Sequence, residues 1–195
     1  MEIYIRTGEK WSLVKDPDPD VLRIHGIKIE GIESPYRIGR SYISDGVYLG
    51  EGVQLGDECF IGPSTRIRAG TKIGNSVVIG EYCCIHDDVE IDSFTAIGDG
   101  VTICESTRIG RLVHIGNAVY IDLRACIGNV VDIGDWSSVG VFASLGDYVM
   151  LGFNSHVGDR ARVGARAIIK PHTDIADGLV IPSINPIAGI DYGKV

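Results

Sequence analysis

The residues best able to do chemistry in this chain stand at intervals of eighteen. His114 and Asp132 form one such pair. A carboxylate beside an imidazole fixes the ring and raises its basicity, so the pair reads as a general base, His114 taking the proton and Asp132 orienting it. A second series, Arg68, His86, Cys104 and Asp122, keeps the same interval. It offers a guanidinium, an imidazole, a thiol and a carboxylate, types suited to proton transfer, anion binding or metal ligation. His86 is therefore a further catalytic candidate, and Arg68, Cys104 and Asp122 are candidate substrate-binding residues. The competing reading of both sets is structural: polar pairs that hold neighbouring segments together and do no chemistry. His156, with Ser138 and Asp174 at the same interval, carries a weaker signal, as do His25 and His172. No Gly-rich phosphate loop, nucleophile elbow or HExxH sequence is present.

What positions these residues is a repeat. From Ile43 to Ile181 every sixth residue is aliphatic, 24 positions of which 17 are Ile, 4 Leu and 3 Val. Two residues earlier stands a small or β-branched side chain in 23 of the 24, Leu179 being the exception. Gly follows the aliphatic residue in 15 of 24. No helix of 3.6 residues per turn keeps a period of six on one face, and plain strand alternation does not space glycines this way. The pattern predicts a solenoid of short strands, with the aliphatic and the small residue filling the interior. The Gly is expected to permit the tight bend into the next strand, where a Cβ would clash.

The hexads, among them Val53-Gln54-Leu55-Gly56-Asp57-Glu58 and Val77-Val78-Ile79-Gly80-Glu81-Tyr82, resemble those of the hexapeptide-repeat, or isoleucine-patch, superfamily over roughly residues 41 to 182. The resemblance implies an all-β fold: a single-stranded, left-handed parallel β-helix of about eight uninterrupted 18-residue coils of triangular section. Residues eighteen apart then stack, ~4.8 Å from rung to rung, and the candidate pairs become neighbours. For activity the resemblance implies a hexapeptide acyltransferase with a catalytic His in a cleft between subunits. That His would act on a hydroxyl or amine of a small-molecule acceptor. Backbone amides would hold the oxyanion, and acyl-CoA, acetyl-CoA above all, would be the co-substrate, with no tightly bound cofactor. The stretch Ile85-His86-Asp87-Asp88-Val89-Glu90-Ile91 is similar to the His-Asp step of such enzymes, although His86 follows its aliphatic residue by one position where the family His follows by two. The γ-class carbonic anhydrases share the fold and imply a second reading, a metal hydratase. Their zinc needs three His, whereas the companion positions of His86 hold Asn117 and Asp122. A single column also spans too far for one ion, so no metal ligand set is assigned. A non-catalytic scaffold subunit is the third reading.

Residues 1–40 are expected to form an N-terminal β cap, residues 41–182 the β-helix, and residues 183–195 a tail packing on the last coil. In the cap, Glu2 to Arg6 and Trp11 to Val14 look strand-like and Asp16-Pro17-Asp18-Pro19-Asp20 reads as a turn. One outward column carries Phe60, Val78, Ala96, Met150 and Ile168, and the neighbouring corner carries Phe94, Leu112, Val130 and Tyr148. Together they predict a long apolar stripe and hence a homo-oligomer, the trimer being common in the family. The column Lys72, Glu90, Arg108 alternates in sign and reads as a solvated ladder. A net charge of −8 argues against nucleic acid as a partner. No apolar run approaches the ~20 residues of a membrane span. Five dispersed Cys without a CxxC pair suit a reducing, cytoplasmic location.

Overall fold

Each aliphatic residue of the series closes a two-residue strand, as in Phe60–Ile61, Arg66–Ile67 and Lys72–Ile73. The first residue of each strand faces out and the second is buried, because side chains alternate across an extended backbone. The computed structural model describes residues 2–7, 10–15, 28–29, 37–38 and 40–184. Among them every element is a strand, in three sheets of ten, nine and nine strands, parallel throughout except for one antiparallel pair at the start of the first. Within each sheet a strand pairs with the strand eighteen residues on: Val78 with Ala96, Cys84 with Thr102, Lys72 with Glu90. The chain is a β-solenoid of about eight turns, and its three sheets are the walls of a prism. Wall one carries the outward residues Phe60 to Ile168, wall two Arg66 to Asp174, and wall three Lys72 to Val180.

Wall one is lengthened at its start. Strand Glu2–Thr7 runs parallel to Ser41–Ile43, and Lys10–Lys15 pairs antiparallel with Glu2–Thr7. The remainder of the expected cap, including the Asp16–Asp20 turn, and the expected tail beyond residue 184 lie outside the described residues. No helix among the described residues is long and apolar enough to cross a membrane.

The interior is a column of Ile, Leu and Val from each wall, nearly all below one-tenth exposed, each contributing about 1.5–3 kcal/mol by burial. Where the small inward residue is polar, its hydroxyl is fully used. Thr65 Oγ1 donates to the Gly80 carbonyl at 2.8 Å and accepts from the Cys83 amide at 3.1 Å. Cys59 and Cys83 take the same place, their thiols on the Gly74 and Gly98 carbonyls at 3.0 and 3.1 Å, and burial pushes both thiols up. Outside, Asp and Asn link coil to coil: the amides of Glu81, Asp99 and Asn117 donate to Asp99, Asn117 and Asp135 at 2.8, 2.9 and 2.6 Å.

The bends do not fall where the sequence placed them. Positive φ occurs three residues after the aliphatic position, at eighteen non-glycine residues and five glycines among those described. The glycine directly after the aliphatic residue has another task. A Cβ at Gly62 would lie 2.5 Å from the Gly80 carbonyl, and one at Gly110 would lie 2.6 Å from the Gly128 oxygen. Close stacking of coils, and not a left-handed backbone, requires those glycines. The true bend residues include Tyr82, Phe94, Val130 and Trp136, with φ between 55° and 62°, a conformation costing an L-residue roughly 1–2 kcal/mol. Asn tolerates it better. Tyr82 is 69% exposed and so loses little packing when replaced. Tyr82→Asn is expected to stabilise the chain by about 1 kcal/mol, read as a rise of roughly 2–4 °C in Tm; an unchanged or lower Tm would contradict the strain assignment.

Candidate functional site

Wall one brings His114 and Asp132 together. Their strands are in direct register, and His114 Nδ1 lies 2.9 Å from Asp132 Oδ1. With Nδ1–H donated to the carboxylate, Nε2 is the nitrogen left to accept a proton. The two side chains are 64% and 54% exposed, so the pair faces whatever lies against this wall. Above and below it are Ala96 and Met150, and Leu112 and Val130 flank it on the corner between walls three and one. On the opposite corner stand Asn117, Asp135 and the exposed Trp136.

The strand amides beside the pair are engaged within the chain. The amides of His114, Gly116, Asp132 and Gly134 donate to the carbonyls of Val131, Ile133, Val149 and Leu151 at 2.7–2.9 Å. Coil stacking engages every one of them, so an oxyanion at this wall must find its donor on something laid against it.

The second series occupies the corner between walls two and three, where four successive coils carry a side chain in place of the close-packed glycine. Its members do not all converge, although the Asp122 carboxylate lies close enough to act on the Cys104 thiol. Arg68 pairs with Asp87 at 3.9 Å. Asp122 accepts from the amide of its neighbour Leu123 at 2.7 Å. The Cys104 thiol donates to the Tyr120 hydroxyl at 3.2 Å. That bond, with partial burial, pushes Tyr120 up to about 12, and desolvation pushes the Cys104 thiol up, away from the thiolate a nucleophile needs. The His86 imidazole makes no hydrogen bond among the described residues, although its carbonyl accepts from Thr71 at 2.9 Å. No group of three His, Cys, Asp or Glu side chains among the described residues could hold a metal ion. Asn117 and Asp122, at the companion positions of His86, are not the imidazoles that the three-His zinc site of the hydratase reading uses, so that site does not fit these residues and no step is drawn through a metal.

On wall two, Ser138 Oγ lies 2.7 Å from His156 Nδ1. His172 Nδ1 sits 2.8 Å from the Asn154 amide, with the Phe153 ring edge-on at 4.7 Å. Two features escaped the sequence. Tyr120 is the partner of Cys104, sixteen residues away and hence off the column. Wall three is also a groove of about 940 Å³ with Lys72, Glu90 and Arg108 in its lining. Glu90 bridges Lys72 at 3.1 Å and Arg108 at 3.3 Å. The Lys72 hydrogen bond, then the charges of both cations, hold its carboxyl below the usual carboxylate range.

Residues 52–86 match the family model for the bacterial transferase hexapeptide (six repeats). No curated protein matches the chain in sequence. Among solved structures, a UDP-N-acetylglucosamine acyltransferase is 18% identical with a TM-score of 0.45, covering 75% of this chain and 67% of its own. LpxA from Acinetobacter baumannii is 19% identical with a TM-score of 0.41, covering 87% and 69%. The UDP-N-acetylglucosamine acyltransferase of Campylobacter jejuni is 20% identical with a TM-score of 0.34, covering 80% and 69%.

Proposed function

We propose that this chain, a member of the hexapeptide-repeat superfamily, is an acyltransferase that moves an acyl group, acetyl from acetyl-CoA in the first instance, to a hydroxyl or amine of a small-molecule acceptor. The observation that carries this reading is the hydrogen bond from His114 Nδ1 to Asp132 on an outward wall. His114 Nε2 removes the acceptor's proton as its oxygen or nitrogen attacks the thioester carbonyl, and Asp132 stabilises the imidazolium that forms. Collapse of the tetrahedral intermediate breaks the carbon–sulfur bond, and the departing thiolate takes the proton back from His114. The oxyanion needs a donor that this wall lacks, and a second copy of the chain is the natural source. Val78, Met150 and Ile168 on the wall, with Phe94, Leu112, Val130 and Tyr148 on its edge, are all two-fifths to two-thirds exposed. Such a stripe favours burial against another copy, and a homotrimer is the assembly proposed. Phe60 and Ala96 in the same column are already half-buried. The corner carrying Arg68, His86, Cys104 and Asp122 faces away from His114 of its own chain, so its proposed substrate contact operates only across a neighbouring copy. Five free cysteines and the need for acyl-CoA suit the cytoplasm as the location.

The test pairs turnover with assembly. Free thiol release from acetyl-CoA is followed over a panel of hydroxyl and amine acceptors, and light scattering measures the mass in solution. The expected result is a trimer with acceptor-dependent thiol release, and Met150→Glu, which buries a charge in the contact, yields a monomer without turnover. A wild-type monomer, or no binding of acetyl-CoA at millimolar concentration, would overturn the reading.

A further inference from the structure

Wall two carries a second imidazole bonded to an outward side chain. Tyr120, Ser138, His156 and Asp174 stand in register on successive rungs, and Ser138 Oγ lies 2.7 Å from His156 Nδ1. A serine hydroxyl is ordinarily a poor nucleophile. An adjacent imidazole that takes its proton as the oxygen attacks is what activates it. With Nδ1 turned to Ser138, the Nε2 edge of the ring faces the rung of Asp174. A carboxylate on that side favours the tautomer protonated at Nε2, so Nδ1 is the acceptor and the Ser138 hydroxyl the donor. Along the column the groups run nucleophile, base, carboxylate.

The chain supplies its own comparison. Among the two-residue strands only Ser138 and Ser144 put a serine outward, and both are half-buried. Ser144 has Cys126 and Arg162 as its rung neighbours and therefore no imidazole in register to take its proton. The same side chain thus occurs once with a base and once without.

Ser138 is open to a substrate. Tyr120, its neighbour on one side, is bonded through its hydroxyl to the Cys104 thiol at 3.2 Å. Cys104 belongs to the coil before Tyr120 and Ser138 to the coil after it, so the ring leans away from the serine. On the two corners of the serine's own coil stand Trp136 and Phe142, 70% and 46% exposed. A cavity of about 320 Å³ with Leu123, Val141 and Phe142 in its lining opens beside the second. These flanks suit an apolar acyl or aryl group. The amides of Ser138 and Gly140 donate to the carbonyls of Ser155 and Val157 at 2.9 and 2.7 Å. An oxyanion here receives no strand amide, and the substrate must carry a good leaving group.

We propose that Ser138 is a nucleophile, with His156 as its general base, that hydrolyses activated apolar carboxylic esters through an acyl-serine. Ser138 Oγ attacks the ester carbonyl while its proton passes to His156 Nδ1. Collapse breaks the bond to the leaving alkoxide or phenoxide, which takes that proton. Water then attacks the acyl-serine, losing a proton to Nδ1, and the acid departs as Ser138 regains its hydrogen. The reaction is separate from acyl transfer at His114, which His156→Ala should not alter.

The intact protein is treated with diisopropyl fluorophosphate, whose phosphorus a serine oxygen attacks with loss of fluoride, and peptide mass spectrometry locates the label. Hydrolysis of para-nitrophenyl butyrate above the protein-free rate is followed in parallel. A single label on Ser138 and none on Ser144 is expected. Ester hydrolysis should vanish in Ser138→Ala and fall about 100-fold or more in His156→Ala, which should also slow labelling to the same extent. Asp174→Asn should slow both reactions several-fold, and Ser144→Ala should leave both unchanged. An unlabelled Ser138, equal labelling of Ser144, or a His156→Ala variant that labels as fast as the wild type overturns the proposal and leaves the Ser138–His156 pair as a bond between coils.

Discussion

Replacing His114 with alanine is expected to lower kcat/KM for acyl transfer by about 10²–10⁴-fold, the range a positioned general base supplies. The dissociation constant for acetyl-CoA should stay unchanged, because the imidazole moves protons during the reaction and does not hold the bound donor. Asp132→Asn should also lower kcat/KM, by no more than the His114→Ala loss itself, because the carboxylate acts only through the imidazole. An amide in place of the carboxylate still spans the 2.9 Å to Nδ1, but its NH₂ can present a donor to a nitrogen that must itself carry the proton. The tautomer that leaves Nε2 free is then no longer enforced. His156, hydrogen-bonded to Ser138 on wall two, provides the control, and His156→Ala should leave turnover intact. Steady-state kinetics on variants whose β-sheet circular dichroism matches the wild type decide it. If His114→Ala stays within twofold of wild type, wall one is a contact surface and its His–Asp pair is structural.

The His114–Asp132 contact was readable from the chain because a solenoid converts counting into geometry. Each strand pairs only with the strand eighteen residues away, so a column names true neighbours: Lys72 with Glu90, Glu90 with Arg108, His114 with Asp132. What a column cannot give is where a side chain turns. Asp122 bends back to the next amide in its own chain, and Cys104 reaches diagonally to Tyr120. A series that looked like one constellation is therefore a Cys104–Tyr120–Asp122 cluster, a distant Arg68–Asp87 pair and an unbonded His86 imidazole. The strand amides beside the pair are occupied for a related reason: the stacking that aligns His114 over Asp132 is made of those same N–H groups. Net charge concealed as much as it revealed, since −8 summed over the chain says nothing of where the charges fall: the six arginines from Arg108 to Arg166 stand on wall three or on the corners beside it. The glycines show the limit most plainly, for spacing marked their positions but could not separate two physical reasons for lacking a Cβ.

Those two reasons predict losses of different size for one substitution at two nearby sites. Gly110→Ala should destabilise the chain by about 3 kcal/mol, the upper range for overpacking a filled interior. Its Cβ would stand 2.6 Å from the Gly128 oxygen and 2.7 Å from the Gly128 carbonyl carbon. Backbone cannot rotate out of the way as a side-chain end could, so the coils must part, and the Gly110 amide, 2.9 Å from the Ile127 oxygen, must lengthen its bond. Gly100→Ala meets nothing within 4 Å but has a φ of +65°, so only the left-handed penalty applies, about 1 kcal/mol. Urea unfolding measures both. Hydrogen exchange localises the first, because a solenoid's stability is a sum over neighbouring coils and a clash acts on one interface. Faster exchange should appear at Gly110 and Gly128 and fade within a coil or two on either side. Equal losses at the two glycines would mean that coil contact is looser than 2.6 Å implies, and the same looseness would release the rung amides that wall one is here denied.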